Sequence, residues 1–94
     1  MADATDYFLA QGGLIFHAAG NDGADSPDYL DNRGDCISVA ATDSNDAAAD
    51  FTNYGDWVDV SAPGTAIWST MHNKDDDTND YLTEMDGTSI GTPI

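Results

Sequence analysis

Positive charge is what this 94-residue chain lacks most, since Arg33 and Lys74 are its only basic side chains. Eighteen acidic side chains, seventeen of them Asp, give a formal net charge of -16. Phosphate backbones and anionic lipid surfaces are bound by clusters of Lys and Arg. The composition therefore excludes nucleic acid and an anionic membrane as partners.

Cysteine and long apolar runs are also scarce. Cys36 is the single cysteine, so no internal disulfide can form. Because it lies in an apolar, strand-like run, a buried and inert thiol is expected rather than a redox or ligand role. No stretch approaches the ~20 apolar residues of a membrane span. Residues 1–11 carry Asp3 and Asp6 and no basic start, so no signal peptide is predicted.

The acidic side chains are interspersed with aromatic and β-branched residues along the whole chain. This mixture argues against a disordered acidic tail. Like charges at such density destabilise a compact state in dilute buffer. Molar salt shortens the screening length to about 3 Å and relieves much of that repulsion. The surface therefore indicates adaptation to a salty milieu.

Short apolar runs alternate with turns rich in Gly and Asp, which predicts an α/β fold. A helix is predicted over residues 3–11, with Tyr7, Phe8 and Leu9 facing a core and Gly12-Gly13 ending it. The other predicted elements are buried strands at 14–19 and 36–41, a third extended segment at 57–61, a loop at 20–35, a turn at 43–47, a hairpin of 66–70 with 81–83, and a helix that begins at Ser89.

Strands buried on both faces need helices on both sides of the sheet. This chain offers one partial helix and the start of another. We therefore expect one small domain over residues 1–94, with a short, mostly parallel sheet, a hairpin and few covering helices. The faces of that sheet should be only partly covered.

Four separated segments carry recognisable motifs: GLIFHAAGNDG at 13–23, CISVAATD at 36–43, DFTNYG at 50–55 followed by VDVSAPG at 58–64, and MDGTSIGTP at 85–93. They resemble, in order, the VVxAAGNxG, VIxVAAxD, FSNYG with DVxAPG, and GTSMAxP motifs of the subtilisin-like serine proteases, the subtilases. Any one of these motifs alone is weak evidence. All four in order, over nearly the whole chain, are strong evidence.

The sequence also departs from the family pattern. The catalytic Asp and His of subtilases lie in DTG-like and HGTHVAG-like motifs that precede these segments, and neither motif occurs here. Ile90-Gly91 replace the usual Met-Ala, and Ile94 stands where a histidine is usual. The resemblance thus implies the C-terminal part of a three-layer subtilisin-like catalytic domain, without its N-terminal half and without the helix after the serine.

The resemblance assigns candidate site residues. Ser89 corresponds to the nucleophile, and Asn21 corresponds to the residue whose side-chain amide stabilises the oxyanion, with the Ser89 backbone N–H as second donor. Ala18, Ala19 and Gly20 correspond to one wall of the pocket for the residue before the cleaved bond. The plainer alternatives are an N-cap serine and a left-handed turn asparagine.

A serine hydroxyl needs a base to take its proton. Neither His17 nor His72 matches the family's catalytic histidine. His17 lies within a predicted strand, with its side chain on the face opposite Phe16 and Ala18, which favours a structural role. His72 lies in a polar loop and is expected to be solvated.

The acidic run at 75–80 could offer oxygen ligands to Ca²⁺, with Asp76, Asp77 and Asp80 as candidates. It lacks the central Gly and the terminal Glu of an EF-hand loop, so a solvated hairpin tip is the plainer interpretation. No cofactor is required, and a structural Ca²⁺ or Na⁺ stays open. The other acids considered for an ion are Asp31, Asp35 and Asp59.

The resemblance implies a salt-adapted serine endopeptidase that acts on peptides or proteins and derives from a secreted parent. Its isolated chain is expected to be incomplete, with the general base supplied by a complementing N-terminal half. Two alternatives stay open. One is a non-catalytic fragment that self-associates as a homo-oligomer through uncovered sheet faces. The other is a weak esterase that uses Ser89 on activated esters.

Overall fold

The computed structural model describes residues 2–76, 78 and 80–94. Its elements are helix α1 (Ala2–Ala10), strand β1 (Phe16–Ala18), helix α2 (Tyr29–Arg33), strands β2 (Ile37–Thr42), β3 (Val60–Pro63), β4 (Ile67–Met71) and β5 (Tyr81–Met85), and helix α3 (Thr88–Gly91). The predicted mixed α/β chain with few helices is confirmed. Within the described ranges, no helix has the length and apolar character needed to cross a membrane.

Strands β1, β2 and β3 form a parallel sheet in that order, with Val39 of β2 opposite Ala18 and Val60. The central strand β2 is buried from Ser38 to Ala41. Its small side chains let loops and α3 approach the sheet closely. The core is correspondingly small, and its buried apolar residues are Ala19, Cys36, Val39, Ala40, Ala41 and Ala49.

One face of this sheet is partly uncovered, as predicted. Phe16 on β1 and Val60 on β3 are 53% and 49% exposed. Together with Ile94 they line an open apolar groove of about 380 Å³. We call this surface the open groove. Parallel sheets normally bury both faces, so the groove is unusual for a strand arrangement of this kind.

Strands β4 and β5 form a separate antiparallel hairpin, which agrees with the prediction. Trp68 and Leu82 on its two strands are 66% and 65% exposed. Gly64 follows β3 and precedes β4, and Gly87 follows β5. The N–H of Gly87 donates to the carbonyl of Gly64 (2.8 Å), and this bond joins the base of the hairpin to the end of β3.

The segment 20–35, predicted to be a loop, contains the short helix α2. At its N-cap, Asp28 accepts hydrogen bonds from the N–H groups of Leu30 and Asp31, while the Asp31 carboxylate accepts from the N–H of Asp28. This is a capping box built from two aspartates. Gly34, with a φ of 79°, ends the helix in the left-handed conformation.

The third strand begins at Val60 rather than at Trp57, so its predicted start is wrong. The indole N–H of Trp57 donates to the Asp25 carboxylate (2.8 Å). The N–H of Val58 donates to the Gly55 carbonyl (3.2 Å). These bonds hold residues 55–58 in a turn, so the strand that pairs with β2 begins only at Val60.

Helix α1 ends before the glycine pair, as predicted, but it does not bury its aromatic residues. Tyr7 and Phe8 are 70% and 48% exposed, so the prediction that they face a core is wrong for these two residues, while Leu9 is half-buried. The Asp6 carboxylate instead accepts a hydrogen bond from the Arg33 guanidinium (2.6 Å). Charge pairing rather than apolar packing therefore links α1 to α2.

Candidate active site

Ser89 is the second residue of α3 and its side chain is exposed. Gly87 precedes the helix with a φ of 153°, a conformation that favours glycine. Neither the hydroxyl nor the backbone N–H of Ser89 is hydrogen-bonded within the described part of the chain. Both groups are therefore available to a ligand.

Asn21 follows β1 and reaches across the molecule to Thr88, 67 residues away. Its Oδ1 accepts hydrogen bonds from the backbone N–H and from the hydroxyl of Thr88, each at 2.9 Å. Two donors on one atom identify it as the oxygen of the amide. The amide nitrogen has no acceptor among the residues described, so it is a free donor close to Ser89, the neighbour of Thr88.

Thr88 joins the two segments that carry these candidates. It is only 1% exposed, and its hydroxyl also accepts a hydrogen bond from the N–H of Gly20 (3.1 Å). A buried hydroxyl is nearly always paired. The sequence motifs did not single out Thr88 as a site residue. Its place beside Ser89 in the motif was the available signal, but a partner 68 residues away cannot be read from a local pattern.

The predicted pocket wall consists of Ala18, Ala19 and Gly20. This segment leads from the end of β1 directly to Asn21. Ala19 is buried, and the other two are half-buried. The φ of Gly20 is 108°, and its bond to Thr88 places this segment against the start of α3. The wall assignment stays a prediction.

His17 is paired with carboxylates. Its Nε2 lies 2.7 Å from an Asp28 carboxylate oxygen and 3.8 Å from one of Asp31. The Asp31 side chain is fully buried and accepts a hydrogen bond from the Ser38 hydroxyl (2.5 Å). Burial raises the pKa of Asp28, but hydrogen bonds from the Asp31 backbone and from His17 outweigh it and hold that pKa below its ordinary value.

These three side chains are also the one group of metal-type donors found within the described residues. Single donor atoms of His17, Asp28 and Asp31 all lie within 4.8 Å of one another. Imidazole and carboxylate donors suit divalent transition metals. In the structure, His17 Nε2 joins the group through its contacts with Asp28 and Asp31.

His72 follows β4, and its Nδ1 lies 2.9 Å from Asp80. Asp80 also accepts from the N–H of Asn73 (2.9 Å). The hydroxyl and N–H of Thr78 donate to Asp76 at 2.7 and 3.1 Å, and these bonds lower its pKa. The calcium candidates Asp76 and Asp80 thus serve turn hydrogen bonds, and the third, Asp77, lies outside the described residues.

The other acids considered for an ion have protein partners. The Asp59 carboxylate accepts a hydrogen bond from the Ser38 N–H (2.9 Å). Asp35 accepts two from the Arg33 guanidinium (2.8 and 2.9 Å), and this bonding lowers the pKa of Asp35. Burial raises the pKa of the Cys36 thiol, which keeps it protonated and unreactive at neutral pH.

The arrangement thus collects an exposed hydroxyl, a backbone N–H and a side-chain amide at one place. Donors of this kind can hold a carbonyl oxygen as negative charge develops on it. Within the described residues, neither His17 nor His72 is hydrogen-bonded to Ser89; each lies beside a carboxylate instead, so no base for Ser89 is identified.

The sequence model of the subtilase family, peptidase S8, matches residues 1–94. Thermitase of Thermoactinomyces vulgaris is 39% identical over 93 residues, which are 99% of this chain and 31% of thermitase. Halolysin of Haloferax mediterranei is 37% identical over 81 residues, 86% of this chain and 15% of halolysin. The thermophilic serine proteinase of Bacillus sp. strain AK1 is 37% identical over 93 residues, 99% of this chain and 22% of the proteinase.

The solved structure of the prenylagaramide maturation protease PagA has a similar fold. It matches 99% of this chain and 32% of its own, with a TM-score of 0.84 and 27% identity. This chain therefore spans about a third or less of each protein compared with it.

Proposed function

Because this chain belongs to the subtilase family, we propose that it forms the part of a secreted serine endopeptidase that holds the nucleophile and the oxyanion donors. Peptide or protein would be the substrate. The observation that carries the proposal is the pair of hydrogen bonds from Thr88 to Asn21 Oδ1. They bring the free amide of Asn21 to the start of α3, the helix that carries Ser89.

Peptide hydrolysis would proceed by acyl transfer. The Ser89 hydroxyl attacks the scissile carbonyl carbon while its proton passes to a general base. The carbonyl oxygen becomes an oxyanion that the Asn21 amide and the Ser89 N–H stabilise. The amine then leaves with the proton from the base, and water releases the acyl group by the same sequence of steps.

The general base has to come from outside the described arrangement. In serine proteases of this type a histidine oriented by an aspartate takes the proton. This chain spans 31% of thermitase. We propose that the remaining part of a subtilase catalytic domain supplies both groups, so that the isolated chain has the serine without its base.

A fluorophosphonate probe tests this division of roles, because it reacts only with an activated serine. The comparison is between the isolated chain and a thermitase hybrid, in which this chain replaces the aligned segment of thermitase. We expect labelling of the hybrid at Ser89 and background labelling of the isolated chain. Ser89→Ala in the hybrid is the matched control and should remove the signal.

A folded hybrid that is not labelled would overturn the proposed function, as would labelling that survives Ser89→Ala. Labelling of the isolated chain at Ser89 would show that the chain carries its own base. Turnover of a nitrophenyl ester by the isolated chain, lost in Ser89→Ala, would support the weaker esterase function, because a good leaving group reduces the need for a base.

The open groove favours a second candidate, a non-catalytic role in self-association. Phe16, Val60 and Ile94 expose apolar surface there. A net charge of -16 opposes contact between two copies until salt screens it. Sedimentation of the isolated chain should show more dimer in molar salt than in dilute buffer if this role is real. A monomer at both salt concentrations would exclude it.

The same charge supports the proposal that the protein is adapted to salt. Screening of repulsion among eighteen acidic side chains stabilises the compact state. The midpoint of thermal unfolding should therefore rise between about 0.1 M and about 1 M NaCl, where the screening length falls from about 10 to 3 Å. A midpoint that falls or stays constant would contradict the adaptation.

A further inference from the structure

Asn53 lies between β2 and β3 and is 2% exposed, although its side chain is polar. Two of its hydrogen bonds reach the chain just before Asn21. Its side-chain Nδ2 donates to the carbonyl of Ala19 (3.0 Å), and its backbone N–H donates to the carbonyl of Gly20 (2.9 Å). The fit leaves no space at position 20, where a Cβ would collide with the Asn53 amide nitrogen.

Two further bonds reach the chain just after Asn21. The Oδ1 of Asn53 accepts hydrogen bonds from the N–H groups of Asp22 (2.9 Å) and Ala24 (3.2 Å). Asn53 therefore bonds the backbone on both sides of Asn21 while leaving Asn21 itself untouched. Residues 21–23 of the anchored segment are exposed, and Gly20 and Gly23 give its backbone little rigidity of its own.

Asn21 is thus held at two points by two different residues. Thr88 holds the oxygen of its side chain, and Asn53 holds the backbone that carries it. Misplacement of a catalytic group by 1 Å can cost about 10²-fold in rate. Fixing only one of the two points would leave the direction of the free amide nitrogen undefined.

We propose that Asn53 is a positioning residue of the active site: it fixes the backbone on both sides of Asn21, so that the Asn21 amide stays aimed at the oxyanion. This inference rests on the proposed function. It predicts an effect on the transition state rather than on substrate binding, because the oxyanion forms only as the reaction proceeds.

Thr52 supplies the matched control. It is the chain neighbour of Asn53 and is also buried, at 4% exposure. Its hydroxyl accepts from the N–H of Ala41 (2.9 Å) and donates to the carbonyl of Asn53 (3.1 Å). Thr52→Val therefore removes two buried hydrogen bonds of the same region without removing any bond to residues 19–24.

The test uses two measurements on Asn53→Ala and Thr52→Val. In the isolated chain, amide hydrogen exchange at Asp22 and Ala24 should quicken at least about tenfold in Asn53→Ala, because each N–H loses its acceptor. In the thermitase hybrid, kcat should fall about 10- to 100-fold with KM nearly unchanged. Thr52→Val should lower the unfolding midpoint comparably and leave kcat near that of the parent.

Asn53→Asp is the second variant should Asn53→Ala fail to fold. It keeps the acceptor for Asp22 and Ala24 but loses the donor to Ala19, so kcat should fall with those two amides still protected. An active hybrid whose kcat is insensitive to every folded Asn53 variant would overturn the positioning role alone. An equal loss of kcat in Thr52→Val would also overturn it. An inactive parent hybrid would overturn the proposed function and the inference together.

Discussion

The sheet with α3 and the hairpin β4–β5 are held together in different ways. Around the candidate site, side-chain hydrogen bonds join residues 29 to 68 positions apart, and they involve buried neutral groups such as those of Thr88 and Asn53. In the hairpin loop, they join exposed residues two to eight positions apart, as Asp76 and Asp80 show. The difference indicates that long-range bonds between neutral buried groups fix the site, while the acidic side chains of the hairpin loop make local bonds at the surface.

Among the variants that compare the two regions, Thr88→Val has the largest expected effect. The substitution keeps the shape of the side chain, but it leaves the Gly20 N–H without its acceptor and removes one donor from Asn21 Oδ1. We expect kcat of the thermitase hybrid to fall about 10- to 100-fold and the chain to lose about 1–3 kcal/mol of stability. Thr83→Val in the hairpin, where the hydroxyl makes one long bond (3.4 Å), should change neither. Equal effects of the two variants would remove the contrast between the regions.

Ser38→Ala should have the next largest effect, and Thr78→Val is its hairpin counterpart. Both hydroxyls donate to a carboxylate, Ser38 to the buried Asp31 and Thr78 to the exposed Asp76. A buried carboxylate that loses a donor cannot turn to water, so Ser38→Ala should cost about 1.5–3 kcal/mol in denaturant unfolding. The exposed Asp76 can replace its lost partner with water. A large loss in Thr78→Val would contradict this account.

The smallest expected effect is a change in the stability of the folded chain at acid pH. The pKa of Asp28 is lowered in the folded chain, so the unfolded chain binds more protons in acid, and the stability from this group is present above about pH 4. That stability is lost as the pH falls through the lowered pKa. Asp28→Asn should therefore flatten the loss of stability below about pH 4, as measured by denaturant midpoints. A steeper loss in this variant would show that the sign is wrong.

Local patterns predicted the elements that depend on local forces. The apolar run at 36–41 gave the central strand, because a continuous small apolar run suits burial on both faces. Helix α2 was missed, since its capping box uses Asp28 and Asp31 in a segment dense in turn residues. The start of β3 was placed too early because the contact between Trp57 and Asp25 is tertiary.

The residues of the candidate site also fall into two groups, those that local motifs predict and those that only the structure shows. Ser89 and Asn21 were named from motifs, but the structure alone shows what joins them. Thr88 acts through a partner 67 residues away, and Asn53 through partners 29 to 34 residues away. Hydrogen bonds of such span leave no periodic signal in a single sequence, because neither partner's neighbours reveal the other.

The kcat of Asn21→Leu in the thermitase hybrid is the most direct test of the central claim, that the amide of Asn21 and the hydroxyl of Ser89 act on one carbonyl group. Leucine has nearly the shape of asparagine without its donor. We expect kcat to fall about 10²–10³-fold with KM nearly unchanged, a magnitude taken from measurements on subtilisin rather than from this structure. A kcat within about twofold of the parent, in a hybrid still labelled at Ser89, would contradict the claim.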